Sequence, residues 1–395
     1  MGQPAVTDHP RITLYCTDYS PISSGIGNCT VSLAQALSGA GYHIDIITCR
    51  QHPHLPRFEI MNGVRVHRVM SWARFGSRTL SILSFFLWEW LILIWTLRRL
   101  KPDYVVGIML FYGCMIDIPK RLLGYRSMTV AHGSDVHEVS TPLQKFTVGW
   151  AMRYCDVVAT ITTDFREMMR ARNPRDVIHL IPNAIDARDI TVADSPCQFA
   201  PGFLHAVSVG RMVCINGVET KGMTYAIRAI AQLPEYQLHL FGDGPFRPTL
   251  EALVDELGVR DRVTFYGTIA NATLCGAMKA ADVLLFPSLA EGLARTVAEA
   301  AYLGLPIITT PIGGQRDYLV DGESVLFVKP GDVDSIRQAL ETFAASPALR
   351  RRLAEAGPKL VATHFSYDVV VRRFEEMLAT CPRRRPGGGG GGKAP

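Results

Sequence analysis

What most constrains this chain is an alternation of two hydrophobic periods that runs through it twice. Short β-rich apolar runs, "RITLYC", "HIDIITC", "VRVHRV", "DYVVGIML", "SMTVAHG", "DVVATIT" and "VIHLIP", are separated by stretches of helical period such as "VSLAQALSGAG" and "TDFREMMRARN". Apolar runs without alternation suit strands covered on both faces, and helical connections suit parallel neighbours. The pattern pauses at "DARDITVADSPCQFAPG" (186–202), polar and broken by proline. It resumes as "FLHAVSVG", "YQLHLFG", "RVTFYG", "ADVLLFP", "PIITT" and "SVLFVKP", with helices "TYAIRAIAQL", "RPTLEALVDELG", "ATLCGAMKAA" and "VDSIRQALETFAAS". This predicts an α/β chain of two Rossmann-like domains with parallel sheets. The first covers 1–190 and is joined by a C-terminal helix at 366–380; the second covers 191–365. In sheets of this kind ligands sit beyond the carboxyl ends of the strands, so two such domains are expected to face each other across a cleft.

At 395 residues, 48% hydrophobic and 19% charged, the chain has enough apolar material for two cores. Its net charge of +5 is uneven: residues 1–190 hold 20 Lys/Arg against 15 Asp/Glu, and residues 191–395 hold 21 against 21. The tail "PRRRPGGGGGGKAP" (382–395) carries four of the latter cations and nothing to bury, so it reads as flexible. Nine scattered cysteines with no CxxC spacing indicate neither a disulfide framework nor a zinc site. A reducing cytoplasm is the expectation, since the N-terminus shows no basic stretch followed by an apolar one. No interleaving of aromatic and basic residues suggests nucleic acid.

Several loops after strands suit phosphate or sugar. "YSPISSGIGNCT" brings Gly25 and Gly27 to the start of a helix, as an anion cradle or as a tight turn. "AHGSDVHE" places His132 and Asp135 where the fifth strand ends. "VGR" supplies Arg211, and Lys221-Gly222 opens a helix after "MVCINGVET"; one guanidinium and one ammonium suit a diphosphate, and both also suit a solvated surface. "HLFGDGP", with Gly242 and Gly244, and "YGTIANATL", with Ile269, are further strand-end turns.

The stretch "FPSLAEGLARTVAEAAYLGLPIITT" sets Glu291 and Glu299 eight positions apart. With a helix beginning near Leu293, they stand about 12 Å apart along the axis and about 80° apart around it. That is too far to share one metal, but it could bracket an elongated ligand, one acid at a sugar end and the other at a ribose end.

These residues resemble the E-x7-E signature of the retaining glycosyltransferases of family 4, which have the two-domain GT-B fold. The likeness covers residues 11–380 and includes, in the family's order, the first glycine loop, "HGSD", "IPNAID", "VGR…KG", "FGDGP" and "FVKPGD". It implies transfer of a sugar from a nucleotide diphosphate donor, UDP- or GDP-linked, to an acceptor hydroxyl, without a metal or other cofactor. By the same resemblance Arg211 and Lys221 would hold the diphosphate, Glu291 the sugar hydroxyls, the backbone of Gly292, Leu293, Ala294 and Arg295 the sugar and phosphate, and Glu299 the ribose. His132 would lie near the reacting sugar, Gly25 and Gly27 at the phosphate side, and Asp135, Gly242, Gly244 and Ile269 among the donor-binding positions. The chain departs from the family where "EGFG" is common: Ala294 and Arg295 would turn a methyl and a guanidinium to the donor sugar. The loop between Arg211 and Lys221 is also longer than usual.

The apolar stretch "LSILSFFLWEWLILIWTL" (80–97) contains Glu89 and is flanked by arginines. It reads either as a helix packed on the first sheet or as an interfacial helix on anionic lipid, which would fit a lipid-linked acceptor. Two other readings stay open, a nucleotide-sugar epimerase of similar fold and a catalytically silent nucleotide-sugar binder. A dinucleotide-dependent dehydrogenase would need GxGxxG after the first strand, which "SGIGNCT" lacks.

Overall fold

The structure is a computed structural model that describes residues 9–383 apart from 21–24, 51, 71–87, 138, 187–189 and 216. The tail from 384 and the first part of the 80–97 stretch, to 87, lie outside the described residues. Two compact units divide the chain: Met1–Ile161 with Phe165–Ala184 and Val370–Pro395, and Thr162–Asp164 with Ile185–Val369. The division falls at Ala184/Ile185 rather than at 190, because Ile185 already donates its amide to Phe365 O at 2.8 Å within the second unit.

In the first unit eight strands, β1 (Arg11–Tyr15), β2 (His43–Cys49), β3 (Phe58–Met61), β4 (Val64–Met70), β5 (Tyr104–Ile108), β6 (Arg126–Ala131), β7 (Val157–Thr160) and β8 (His179–Leu180), form a sheet ordered β3-β4-β2-β1-β5-β6-β7-β8. Every pair is parallel except β3 with β4. β3 is absent from the strand series expected above, which makes the strand before His132 the sixth. It is an edge strand whose side chains alternate between exposed and half-buried, so it lacks the continuous apolar signal. Its hairpin was nonetheless encoded: Asn62 and Gly63 both take positive φ (50° and 79°), the pair that a two-residue turn of right-handed strand twist requires.

The C-terminal helix Tyr367–Ala379 returns to this unit as expected. Tyr42 Oη donates to Glu375 Oε1 at 3.0 Å, Tyr104 Oη donates to Cys381 O at 3.0 Å, and Val370, Phe374 and Met377 are buried.

The second unit's sheet is wholly parallel: β9 (Leu204–Val209), β12 (Tyr236–Phe241), β13 (Val263–Gly267), β14 (Val283–Phe286), β15 (Ile307–Thr309) and β16 (Leu326–Phe327), ordered β13-β12-β9-β14-β15-β16. β10 (Cys214–Ile215) and β11 (Val218–Glu219) form a separate antiparallel hairpin. Its core joins Leu238, Leu240, Val283 and Leu285 to Ile227, Ile230, Ile336, Leu340 and Phe343 of the covering helices. Each such side chain contributes roughly 1.5–3 kcal/mol by leaving water.

The segment after 190 packs on this unit. Ala193 N donates to Ala272 O at 2.9 Å, and Gly276 lies so close that a Cβ there would be 1.9 Å from Ala193 O. Further on, His205 Nε2 donates to the Ala200 carbonyl at 3.0 Å. Its Nδ1 pairs with His239 Nε2 at 3.1 Å, and His239 Nδ1 pairs with Tyr266 Oη at 3.2 Å. Burial, and secondarily His205, pushes His239 down to about 4. Because that value lies below the ordinary one of about 6.5, the unfolded chain binds the proton first. Stability is therefore expected to be intact above pH 6.5 and to fall progressively between about 6.5 and 4. A melting-temperature profile across that range, steep in the parent and shallower in His239→Gln, checks it; equal slopes would remove His239 as the cause.

Candidate active site

The carboxyl ends of β9, β12, β14 and β15 are brought together by glycines that let backbones touch. Gly242 (φ 115°) sits where a Cβ would be 2.0 Å from Gly210 O, and Gly244 (φ 153°) where one would be 2.3 Å from Met212 O. Gly210 N donates to Phe241 O at 2.9 Å and Met212 N to Asp243 O at 3.0 Å. These two candidate glycines thus clamp the loop that carries Arg211. Arg211 itself is exposed, and among the described residues no carboxylate lies within ion-pair range of it.

Lys221 is placed by three further features. The extra length of its loop is the β10–β11 hairpin, which ends at Glu219. Glu219 accepts from Met223 N at 2.5 Å and Thr224 N at 3.0 Å, so this buried carboxylate occupies the start of helix Met223–Ala231. Gly210 leaves room for the Lys221 stem, since a Cβ there would be 2.7 Å from Lys221 Cγ. Gly222 (φ 67°) lies against Pro287 O. The ammonium ends in an ion pair with Glu291, 5.4 Å from the centre of the Phe286 ring.

Glu291 belongs to a loop, not to a helix. The following helix is Arg295–Tyr302, with Ala294 as its uncapped N-cap residue, two positions later than the start at Leu293 assumed above. The axial spacing computed from a continuous helix therefore does not apply. Stitching fixes the loop: Leu289 N and Ser288 Oγ donate to Thr220 O at 2.9 and 2.7 Å, and Thr310 Oγ1 donates to Ser288 O at 2.6 Å. Gly314 N donates to Gly292 O at 2.6 Å, and the close approach of Gly313 (φ 53°) leaves no room for a Cβ beside Glu291 O. Leu293 and Ala294 are buried.

Glu299 is 2% exposed. Its Oε1 accepts from Arg295 Nε at 2.9 Å and from Asn271 Nδ2 at 3.2 Å. Arg295 thus reaches back along its own helix to Glu299, rather than presenting its guanidinium alone to a sugar. Asn271 starts the helix Asn271–Ala280, two residues after the half-buried Ile269, so the turn after β13 also contributes.

In the first unit, His132 follows β6 and Asp135 organises its loop. The Asp135 carboxylate is fully buried and accepts from the amides of His132 (3.0 Å), Gly133 (2.9 Å) and Leu110 (2.7 Å). Those three amides tie the Asp135 carboxylate to the loop that carries His132. His132 lines a cavity of about 20 Å³, enough for one water, with Cys29, Thr30 and Leu33 of the helix Gly25–Gly39 and the turn Ile181–Ala184. Its Nε2 is buried without a hydrogen-bond partner among the described residues, and burial lowers its pKa against the opposing pull of Asp135. The ring is neutral at pH 7. Gly25 and Gly27 form the first turn of the helix that carries Cys29 and Thr30; a Cβ on Gly25 would meet nothing within 4 Å.

Two clusters result. One unit joins Arg211, Lys221, Glu291–Arg295 and Glu299, two of its carboxylates already paired with cations; the other joins His132 and Asp135 to the first glycine turn. Gly210, Glu219 and Asn271 were missed by sequence reasoning. Each stood inside a quoted stretch without being singled out, Gly210 in "VGR", Glu219 in "MVCINGVET" and Asn271 in "YGTIANATL". Among the described residues no group of three or more His, Cys, Asp or Glu is placed to hold a metal.

Residues 206–360 match the family described as glycosyl transferases group 1, and residues 24–184 match a glycosyl transferase 4-like domain. The lipopolysaccharide core biosynthesis glycosyltransferase LpsE of Rhizobium meliloti is 33% identical over 192 residues, 49% of this chain and 52% of that protein. The chain thus spans about half the length of that relative. Among solved structures, sucrose-phosphate synthase from Thermosynechococcus elongatus shares the GT-B fold with a TM-score of 0.78 at 21% identity, over 94% of this chain and 98% of that one. Anabaena Alr3699/HepE in complex with UDP-glucose follows at 0.74 and 17%, over 94% and 100%.

Proposed function

Since the chain belongs to the GT-B glycosyltransferases, built of a 4-like and a group 1 domain, we propose that it moves a sugar from a UDP-sugar to an acceptor hydroxyl with retention of anomeric configuration and without a metal. The observation that carries this reading is the composition of one sheet edge: an Arg211 with no carboxylate in range among the described residues, a Lys221 paired with Glu291, and a buried Glu299. A donor diphosphate gives Lys221 a second anionic partner and meets Arg211 directly. Glu291 is then placed to accept from sugar hydroxyls, and Glu299 from the ribose. As the bond from the anomeric carbon to the phosphate oxygen breaks, its electron pair stays on the diphosphate, and the two cations stabilise that charge. The acceptor oxygen forms the new bond to the same carbon, on the face the diphosphate leaves, and passes its proton to the departing phosphate oxygen. In the first unit His132, its pKa lowered by burial, is held at the carboxyl end of β6 by the Asp135 loop.

UDP is favoured over GDP because the Anabaena neighbour is solved with UDP-glucose. A lipid-linked or glycan acceptor is favoured by the relative named for lipopolysaccharide core biosynthesis. The test is a melting curve with UDP, with and without EDTA. At a hundredfold excess over Kd the nucleotide should add about 2.7 kcal/mol, with the same shift in EDTA. A shift that disappears in EDTA would refute the metal-free reading, and no shift with any nucleotide or nucleotide sugar would refute donor binding.

A further inference from the structure

We propose that one helical face of the first unit docks the protein on an anionic lipid surface. The proposal goes beyond the reaction above and does not depend on it. The connections from β4 to β5, β5 to β6 and β6 to β7 all advance the same way along the strand order. Right-handed crossovers therefore put helix Trp90–Leu100, the turns 110–123 and helix Pro142–Tyr154 on one side of the sheet, and helix Gly25–Gly39 on the other. The packing agrees. Trp90 Nε1 donates to Met115 O at 3.0 Å and Trp150 Nε1 to Asp117 Oδ2 at 3.2 Å, so both long helices hang on the short helix Gly113–Asp117. Their inner side chains close over one cluster with Tyr15, Val105 and Tyr125.

The outer side chains are unusually apolar. Trp88, Leu91 and Trp95, at spacings of three and four, form an exposed stripe, Trp88 being 65% exposed. Leu122, 89% exposed, and Phe146, 58% exposed, continue the surface on the neighbouring elements. Around them the charge has one sign. Arg98, Arg99, Lys101, Arg121, Lys145 and Arg153 are exposed, whereas Glu89 and Asp117, the carboxylates of segments 88–101, 113–124 and 142–154, are both buried. Arg99 stacks over the Trp95 ring at 3.8 Å, which keeps a cation beside an exposed indole.

Apolar aromatics ringed by cations, with no exposed acid on these three segments, match a surface of phosphate headgroups above acyl chains. A protein partner would have to be uniformly acidic to fit as well. No helix among the described residues is long and apolar enough to cross a membrane.

The test uses the full chain and vesicles of phosphatidylcholine with and without phosphatidylglycerol, read by co-sedimentation and by the shift of tryptophan emission. Binding is expected with the anionic vesicles and should weaken as salt is raised. The triple change Arg98→Gln/Arg121→Gln/Lys145→Gln should weaken it roughly tenfold or more. Trp95→Ser/Phe146→Ser should weaken it independently and reduce the emission shift, Trp88 remaining as a reporter. Circular dichroism and an unchanged melting temperature show that the variants remain folded. Parent protein that ignores anionic vesicles, folded variants that bind as the parent does, or a dimer dissolved by Trp95→Ser/Phe146→Ser without vesicle binding would each overturn the proposal.

Discussion

Arg211→Ala is expected to lower turnover roughly 30- to 1,000-fold, corresponding to about 2 to 4 kcal/mol of transition-state stabilisation, while the protein folds as before. The guanidinium is exposed and has no carboxylate in range among the described residues, so the truncation strands no buried partner. Its loop is held by backbone contacts of Gly210, Met212, Gly242 and Asp243, none of which uses the side chain. The loss should therefore appear in kcat with an unchanged melting temperature. Arg211→Lys should recover part of it, since a point charge replaces some of the field but not the two-pronged geometry. Steady-state kinetics with a saturating UDP-sugar decide the matter. A fall of less than about threefold, far below what removing a charge-stabilising donor costs, would take Arg211 out of the leaving-group role.

Lys221 would make a poorer probe of the same idea, and the reason lies in what the sequence could not convey. Lys221 and Glu291 are seventy positions apart, and nothing in either local pattern says that they neutralise each other. The Arg295–Glu299 pair is different. Its spacing of four within one helix is a contact legible from sequence, yet the resemblance to "EGFG" drew attention to the sugar instead. Asp135 stood in a "HGSD" turn that looked like a ligand loop, but a short carboxylate there has three amides to satisfy first.

The strands of both sheets were legible wherever they are covered on both faces, as in β5 and β14, because burial demands continuous apolar runs. β3 was not, since its residues alternate in exposure at an edge, and only the Asn-Gly turn betrays it. The helix start slipped by two residues because Leu293 and Ala294, although apolar and buried, have their backbone outside the helix. That slip matters, for it takes Glu291 off the helix and makes its position depend on the loop contacts of Thr220, Ser288 and Gly313.

The two glutamates should consequently fail in different ways. Glu291→Ala removes a loop carboxylate whose hydroxyl contacts strengthen as the anomeric carbon becomes cation-like, so the loss should fall on kcat, roughly 10- to 100-fold. It also frees Lys221 from its ion pair, which should leave donor KM unchanged or lower. Glu299→Ala should instead raise donor KM roughly 10- to 100-fold with kcat nearly constant, because hydrogen bonds to a ribose are the same in ground and transition states. The structure adds a second consequence. Glu299 is buried with Arg295 and Asn271 on one oxygen, so alanine removes the carboxylate from a largely buried guanidinium and an amide and should lower stability by about 1 to 3 kcal/mol. Glu299→Gln retains an oxygen for both donors and should keep most of that stability while still weakening the ribose contact. Donor-saturation curves and melting temperatures for the three variants separate the outcomes. If Glu299→Ala loses stability but binds a UDP-sugar as the parent does, and a 2′-deoxyribose donor is used equally well by both, then Glu299 serves only to hold Arg295 and the ribose contact does not exist.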